Sequence, residues 1–375
     1  MKISEIKIAS FSDVHLGHRV MKTEHVIANL RKTFPDTDET GELDLILIPG
    51  DFFDRNLNLS DEVNYIIRPF LRDFLFMCKK RNIKVRVLKG TPSHDWEQSK
   101  LFTHINELFN IDVDVKYFNQ LDIEYIDDFG IDVLYIPDEW RHTTKQTQNE
   151  VIALLADKHL EQVDFVVMHG SFKHQLPKVT HDKLQFHDAD FYLSITRYFI
   201  FVGHIHFQSQ FERILSSGSF DRSAHGEEKP KGHYRLIVRQ TNQHDIYFVE
   251  NRTALKFVTL NTTDLGSEEI YEKAIALAEK LPNGSHIRLL SRKENSANKP
   301  TCEQLSKLYP QHNWTDKVKT AKIQNVLAMV DERKNFTKVT ISATNIEQLL
   351  ISRIKSKHPN HLERCAYLLK GIVHE

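Results

Sequence analysis

IKIASFSDVH, residues 6–15, decides how the front of the chain is read: an apolar run that stops in Ser12-Asp13-Val14-His15. Four later stretches have the same form. Leu43–Ile48 stops in Pro49-Gly50-Asp51, Val85–Leu88 in Lys89-Gly90, Asp164–Met168 in His169-Gly170, and Tyr198–Val202 in Gly203-His204. Short apolar runs bounded by turn residues read as strands covered on both faces. Between them, Thr23–Thr33, Glu62–Lys80 and Glu150–Lys158 carry helical periodicity. That alternation predicts βαβ-type units, a central sheet with helices on it. Ligands of open α/β sheets bind beyond the carboxyl ends of the strands. Five strand ends should therefore bring Asp and His to one edge. The runs Ile123–Ile126, Val133–Ile136, Tyr234–Val238 and Ile246–Val249 are expected to form a second sheet. The fold class is then α/β (α+β), a four-layer β-sandwich flanked by helices.

A boundary is expected near Asn251–Thr263, giving a first domain over 1–255. Ser267–Leu281 reads as a helix, His286–Leu290 as a strand and Ser291–Pro300 as a polar loop. These predict a small α+β cap over 256–340. Two amphipathic helices, Ala343–Ser356 and His361–Lys370, are separated by His358-Pro359-Asn360 and predict a helical tail over 341–375.

The 375 residues, 40% hydrophobic and 27% charged, suffice for a real core and more than one domain. A net charge of -1 implies no polyanion partner for the chain as a whole. The charge is unevenly placed, however. Residues 251–375 hold 20 Lys+Arg against 13 Asp+Glu, a net of +7, which leaves -8 on residues 1–250. An acidic front suits a site that gathers cations, and a basic back suits phosphate contact. Cys78, Cys302 and Cys365 form no CxxC pair, which argues against a disulfide framework or a zinc–thiolate site. The first residues lack the apolar core of a secretory signal, and no run reaches the ~18 apolar residues of a membrane span. The expected location is cytoplasmic, in the host cell if the protein is viral, with no membrane partner.

Histidine is the unusual count, at 21. In Asp13-Val14-His15 alternate residues of an extended segment share a face and can reach one cation. Gly203-His204-Ile205-His206 repeats the device with two imidazoles, Asp51 and Asp54 follow the second run, and His169 ends another. Each fragment alone is commonplace in surface loops; together, each behind an apolar β run, they form a constellation. Mixed oxygen and nitrogen donors suit Mn²⁺, Fe or Zn²⁺ better than Mg²⁺. Two cations about 3.5–4 Å apart are a recurring device for phosphoester cleavage.

In this order the residues resemble the calcineurin-type metallophosphoesterases, whose pattern is Asp-x-His, Gly-Asp-x-x-Asp, Gly-Asn-His-Asp, a single His, then Gly-His-x-His. Within that superfamily the chain resembles the SbcD-type DNA nucleases, including those of bacteriophages. Ser12-Asp13-Val14-His15-Leu16-Gly17 matches their first motif. Ser217-Gly218-Ser219-Phe220-Asp221-Arg222, Gly226-Glu227-Glu228 and Lys231-Gly232 resemble the run that follows their Gly-His-x-His. The resemblance implies one cation held by Asp13, His15, Asp51 and His206, with Asp51 bridging to a second held by His169 and His204. It implies His94 as the catalytic histidine at the leaving oxygen, Asp95 as a residue that orients it, and Asp54 as a carboxylate that positions substrate or a neighbouring histidine. Gly90-Thr91-Pro92-Ser93-His94-Asp95 departs from Gly-Asn-His-Asp: the asparagine is absent and the loop is longer. Ser93, next to His94, or a water is expected to complete the second site.

The function implied is a Mn²⁺-dependent DNA exonuclease or endonuclease, with two divalent cations as cofactor. Arg55, Lys89, Lys173, Lys178, Arg292 and Lys293 are candidate phosphate contacts, although any one of them could equally be a solvated surface charge. The apolar stripes Ile346, Leu349, Leu350, Ile351, Ile354 and Leu362, Cys365, Leu368, Leu369, Ile372 suit either packing on their own domain or docking on a partner helix or coiled coil. The resemblance makes that partner an SMC-like ATPase and implies a homodimer within a heterotetramer, working in DNA end processing, repair or recombination. The competing expectations are another phosphoesterase, such as a protein phosphatase or cyclic-nucleotide phosphodiesterase, and a scaffold with a decayed metal site.

Overall fold

The computed structural model describes residues 4–318 except 59, 139–140, 182–183, 242 and 293–295, together with 351. The chain divides into two compact units, Met1–Leu327 and Ala328–Glu375. The tail helices expected over 341–375 lie outside the described residues, apart from Ile351, which is helical.

In the first unit the chain runs β1 (Glu5–Ser10), α1 (Thr23–Thr33), α2 (Asp38–Gly41), β2 (Leu45–Ile48), α3 (Asn64–Lys80), β3 (Lys84–Leu88), α4 (Pro92–Asp95), α5 (Leu101–Leu108) and β4 (Val115–Phe118). Next come β5 (Asp122–Ile126), β6 (Ile131–Ile136), α6 (Thr144–Asp157), β7 (Val163–His169), α7 (Ala189–Ser194), β8 (Thr196–Gly203), β9 (Ser209–Phe211) and β10 (Ile214–Ser216). The series closes with β11 (Gly232–Arg239), β12 (Asp245–Glu250), β13 (Phe257–Asn261), α8 (Ser267–Ala278), β14 (His286–Ser291), α9 (Asn298–Leu308) and β15 (Asn313–Val318).

Two six-stranded sheets, β12-β11-β1-β2-β3-β4 and β5-β6-β7-β8-β10-β9, face each other. Strand alternation shows how they pack. Leu45 and Leu47 of β2 join Ile6 and Ile8 of β1 and Phe165, Val167 and Phe201 of the second sheet in a core between the sheets. Ile46 and Ile48 point the other way, into a core with α1, α3 and α5. A third core lies under α6 and α7 on the far side of the second sheet. The layers are therefore helix, sheet, sheet, helix, the expected class. Arg86 of β3, 1% exposed, bonds Glu124 of β5 through two nitrogens at 2.7 and 2.9 Å, and so pins one sheet to the other.

One expectation is corrected. Tyr234–Val238 and Ile246–Val249 do not join Ile123–Ile126 and Val133–Ile136. As β11 and β12 they extend the first sheet, with β11 antiparallel to β1 from Glu5↔Arg239 to Ser10↔Tyr234. β7 and β8 belong to the second sheet with β5 and β6. Apolar patterning marks a strand as buried but does not name its neighbour. The five functional strand ends are consequently split, three on one sheet and two on the other.

Helix ends moved for identifiable reasons. α6 starts at Thr144 rather than 150, because Thr143 and Gln146 form a reciprocal capping box. α9 starts inside the expected polar loop, with Pro300 in its first turn, where its missing N–H costs nothing. The three strands β13-β14-β15 form a parallel sheet with its own core of Ile270, Ala274, Leu289, Cys302 and Leu305.

Candidate metal centre

Loops leaving the carboxyl ends of β1, β2, β3, β7 and β8 meet where the two sheets share an edge. Asp13 Oδ1 accepts from the backbone N–H of His204 at 3.0 Å, tying a first-sheet loop to a second-sheet loop. Close approach is enforced by glycine. A Cβ on Gly203 would sit 2.0 Å from the Pro49 carbonyl oxygen, and one on Gly90 would sit 2.1 Å from Asp51 Oδ1. Asp13, His15, Asp51 and His204 all have positive φ, at 51°, 54°, 49° and 100°. Left-handed backbone costs roughly 1–2 kcal/mol per non-glycine residue and persists only where surrounding contacts hold it. Here it coincides with the chemistry-bearing residues.

The side chains gather in two groups whose donor atoms lie within 4.8 Å of one another: Asp13, His15 and His206, and Asp51, His169 and His204. In the first, His15 Nε2 and His206 Nε2 are 3.0 Å apart, and His206 Nε2 is 3.9 Å from Asp13 Oδ1. The far nitrogens face carboxylates. His206 Nδ1 lies 2.8 Å from Glu227 Oε1, and His15 Nδ1 lies 3.2 Å from Asp54 Oδ1. In the second group, His169 Nε2 is 3.2 Å from Asp51 Oδ2, while its Nδ1 donates to the Pro49 carbonyl at 2.8 Å. With Nδ1 so occupied, Nε2 is the nitrogen that would face a cation. Burial disfavours charge on both Asp51 and His169, yet their attraction outweighs it. His169 is pushed up to about 9 and Asp51 is held well below the usual carboxylate range. Burying Asp13 and Asp51 at 0% and 2% exposure without a cation would be costly. The donor set, two carboxylates and four imidazoles converging in a buried edge, fits two divalent cations.

Ser93 is the residue expected to complete the second site. Its Oγ is buried and makes no hydrogen bond among the described residues. The hydroxyl that stands among the donor atoms of the second group is that of Thr91, which the sequence reading passed over. Its Oγ1 lies 3.1 Å from Asp51 Oδ2, 3.2 Å from His169 Nε2 and 3.4 Å from His204 Nδ1.

His94, Asp54 and His15 form a third group. His94 Nδ1 donates to the Asp54 backbone carbonyl at 2.7 Å, and the His94 and His15 rings meet edge to face at 4.9 Å. Asp95, expected to orient His94, braces the loop. Its fully buried carboxylate accepts from Gly90 N, from Ser99 N and Oγ, and from Tyr117 Oη, holding the loop that carries Thr91 and His94. The orienting contact to His94 comes from Asp54.

The candidate phosphate contacts are scattered. Arg55 is tied into the loops by the Gly17 carbonyl and Asp61, and Lys89 lies 3.7 Å from Glu97. Lys173 and Lys178 are exposed on one-turn 3₁₀ helices after β7, Arg292 is exposed after β14, and Lys293 lies outside the described residues.

Imidazoles and carboxylates paired at the joint edge of two sheets define a metal-dependent hydrolase. The chain belongs to the calcineurin-like phosphoesterase family, whose model matches residues 6–208 and thus every residue of the two groups. It is a metal-dependent hydrolase of phosphoesters. No curated protein matches the chain. Among solved structures, a crystal structure matches with 11% identity over 65% of this chain and 99% of its own, at a TM-score of 0.39. The glutamine-dependent NAD+ synthetase of Acinetobacter baumannii, in complex with adenosine diphosphate, matches with 13% identity over 96% and 73%, at 0.28. At such values neither bears on the fold. No helix among the described residues is long and apolar enough to cross a membrane.

Proposed function

We propose that this phosphoesterase is a Mn²⁺-dependent DNA nuclease. A basic cluster beside the Ser217–Gly232 segment carries the reading. His225 Nδ1 lies 3.3 Å from Thr259 Oγ1 on β13, and Arg288 of β14 donates to that same hydroxyl at 3.2 Å. His225 is pushed down to about 4, by burial first and then by the positive charge of Arg288, His286 and Lys317. Arg288 and Lys317, the charged groups of this cluster on the third sheet, suit a chain of phosphates, whose binding they would make salt-dependent. A small cyclic nucleotide needs no such surface.

Two divalent cations would supply Lewis acidity and activate water. Around them, Asp13, Asp51 and the four histidines position the scissile phosphate. The Asp54 carbonyl fixes the His94 tautomer, so that Nε2 is where His94 exchanges a proton with the leaving oxygen. Asp51 bridging the two cations, an SMC-like ATPase docked on residues 341–375, the homodimer and the DNA-binding role of 256–340 belong to the same proposal. End-labelled single- and double-stranded DNA, a phosphopeptide and a cyclic nucleotide are incubated with the protein and Mn²⁺. Cleavage of DNA well above the other two is expected; faster turnover of the phosphopeptide or cyclic nucleotide would overturn the reading.

A further inference from the structure

Gly226-Glu227-Glu228 and Lys231-Gly232 lie beyond the matched residues 6–208. Yet Glu227 and Lys231, 0% and 1% exposed, are among the most deeply buried charges of the molecule. Glu227 Oε1 accepts from His206 Nδ1 at 2.8 Å and from Ser223 Oγ at 3.0 Å. Its Oε2 accepts from Ser223 N at 3.0 Å and lies 3.2 Å from Lys231 Nζ. Lys231 Nζ in turn donates to the His206 carbonyl at 2.8 Å and to Ser219 Oγ at 2.7 Å. The pair therefore grips one residue twice, Glu227 by the ring and Lys231 by the backbone.

We propose that Glu227 and Lys231 are positioning residues that fix the ring orientation and tautomer of His206, and so set the affinity of the cation held by Asp13, His15 and His206.

A neutral imidazole has one N–H. With that proton on Nδ1 and given to Glu227, Nε2 must present its lone pair toward His15 Nε2 and Asp13. A ring flip would break the contact with Glu227 and point a carbon at the cation. Lys231 neutralises the carboxylate, which otherwise would be a lone buried charge. It stands just before β11 of the first sheet, and His206 follows β8 of the second, so the pair also fixes the two sheets where they share the site. Arg222 secures the connecting loop through the carbonyls of Glu227, Glu228 and Lys229. Both grips of the pair fall on His206 of the first group, whereas in the second group His169 Nδ1 donates to the Pro49 carbonyl. The effect is therefore specific to one cation, and it holds whichever phosphoester is cleaved.

The test titrates Mn²⁺ alone into the full chain by calorimetry and by the manganese electron paramagnetic resonance signal. Glu227→Gln keeps the shape of the side chain. Removal of such an outer partner usually weakens a metal site about 10–100-fold, and that loss is expected at one class of sites with the other unchanged. Glu227→Gln with Lys231→Met removes both buried charges together, which keeps the fold stable while His206 still lacks its charged acceptor. The double variant should melt near the wild type and still bind one cation 10–100-fold more weakly. Wild-type affinity at both sites in the double variant would make the pair merely structural and overturn the proposal. Equal loss at both sites would also overturn it, by removing the assignment to one cation.

Discussion

The two halves of the metal centre are supported differently. Around Asp13, His15 and His206, both outward imidazole nitrogens face carboxylates, Asp54 and Glu227. Around Asp51, His169 and His204, the outward nitrogen of His169 meets a neutral backbone carbonyl, and the hydroxyl of Thr91 stands among the donor atoms. A hydrogen bond to an ionised acceptor is about twice as strong as one between neutral groups. It also makes the opposite nitrogen a better donor to a cation. The contrast between His206 on Glu227 and His169 on the Pro49 carbonyl predicts a tighter cation in the first half and a looser one in the second.

The comparison breaks most clearly on metal removal and Asp51. Chelation should abolish hydrolysis, and Mn²⁺ should return in two steps, the tighter one without activity. A single class of sites in calorimetry would contradict the difference between the halves. Asp51→Asn preserves shape but removes the charge that faces His169. If the cations supply about 4 kcal/mol of transition-state stabilisation, this should cost on the order of 10³-fold in kcat, with loss of the looser cation. Retention of both cations in Asp51→Asn would contradict the assignment. A different signature is expected from His94→Ala. It should lower kcat by about 10²–10⁴-fold with both Mn²⁺ affinities intact, since His94 Nδ1 donates to the Asp54 carbonyl and His94 is a member of neither the Asp13 group nor the Asp51 group. Loss of a bound cation in that variant would make His94 a ligand.

All six residues of the two groups were legible in the sequence. Asp13 and His15, or His204 and His206, sit close along the chain, behind apolar runs that mark their strands. What was not legible depends on pairing across long separations. That β11 returns to β1 is decided by contacts such as Glu5↔Arg239, and no local pattern records it. The pairing of His206 with Glu227 spans 21 residues and that of Thr91 with His169 spans 78. Thr91 had one local signal. Pro92 after it favours a helix start, which leaves Thr91 at the cap with its side chain toward the preceding strand end. Nearness to His94 in sequence pointed to the hydroxyl of Ser93, whereas the one within reach of Asp51 and His169 is that of Thr91.

Thr91 also gives the smallest and sharpest test of the comparison. Thr91→Val is close to isosteric and removes only the hydroxyl, which lies within hydrogen-bond distance of Asp51 and His169. A hydrogen bond of this kind contributes about 0.5–1.5 kcal/mol, so the looser cation should weaken by about two- to tenfold. The tighter one should not move. Thr91→Asn places an amide oxygen where the related phosphoesterase pattern has its asparagine, and should bind the looser cation more tightly than wild type. Ser93→Ala should leave both affinities unchanged, because its buried Oγ has no partner to lose. Were Ser93→Ala to weaken the looser cation while Thr91→Val did not, the loop would have to rearrange around Pro92 on metal binding, and the second half would owe its weakness to that rearrangement rather than to its ligand.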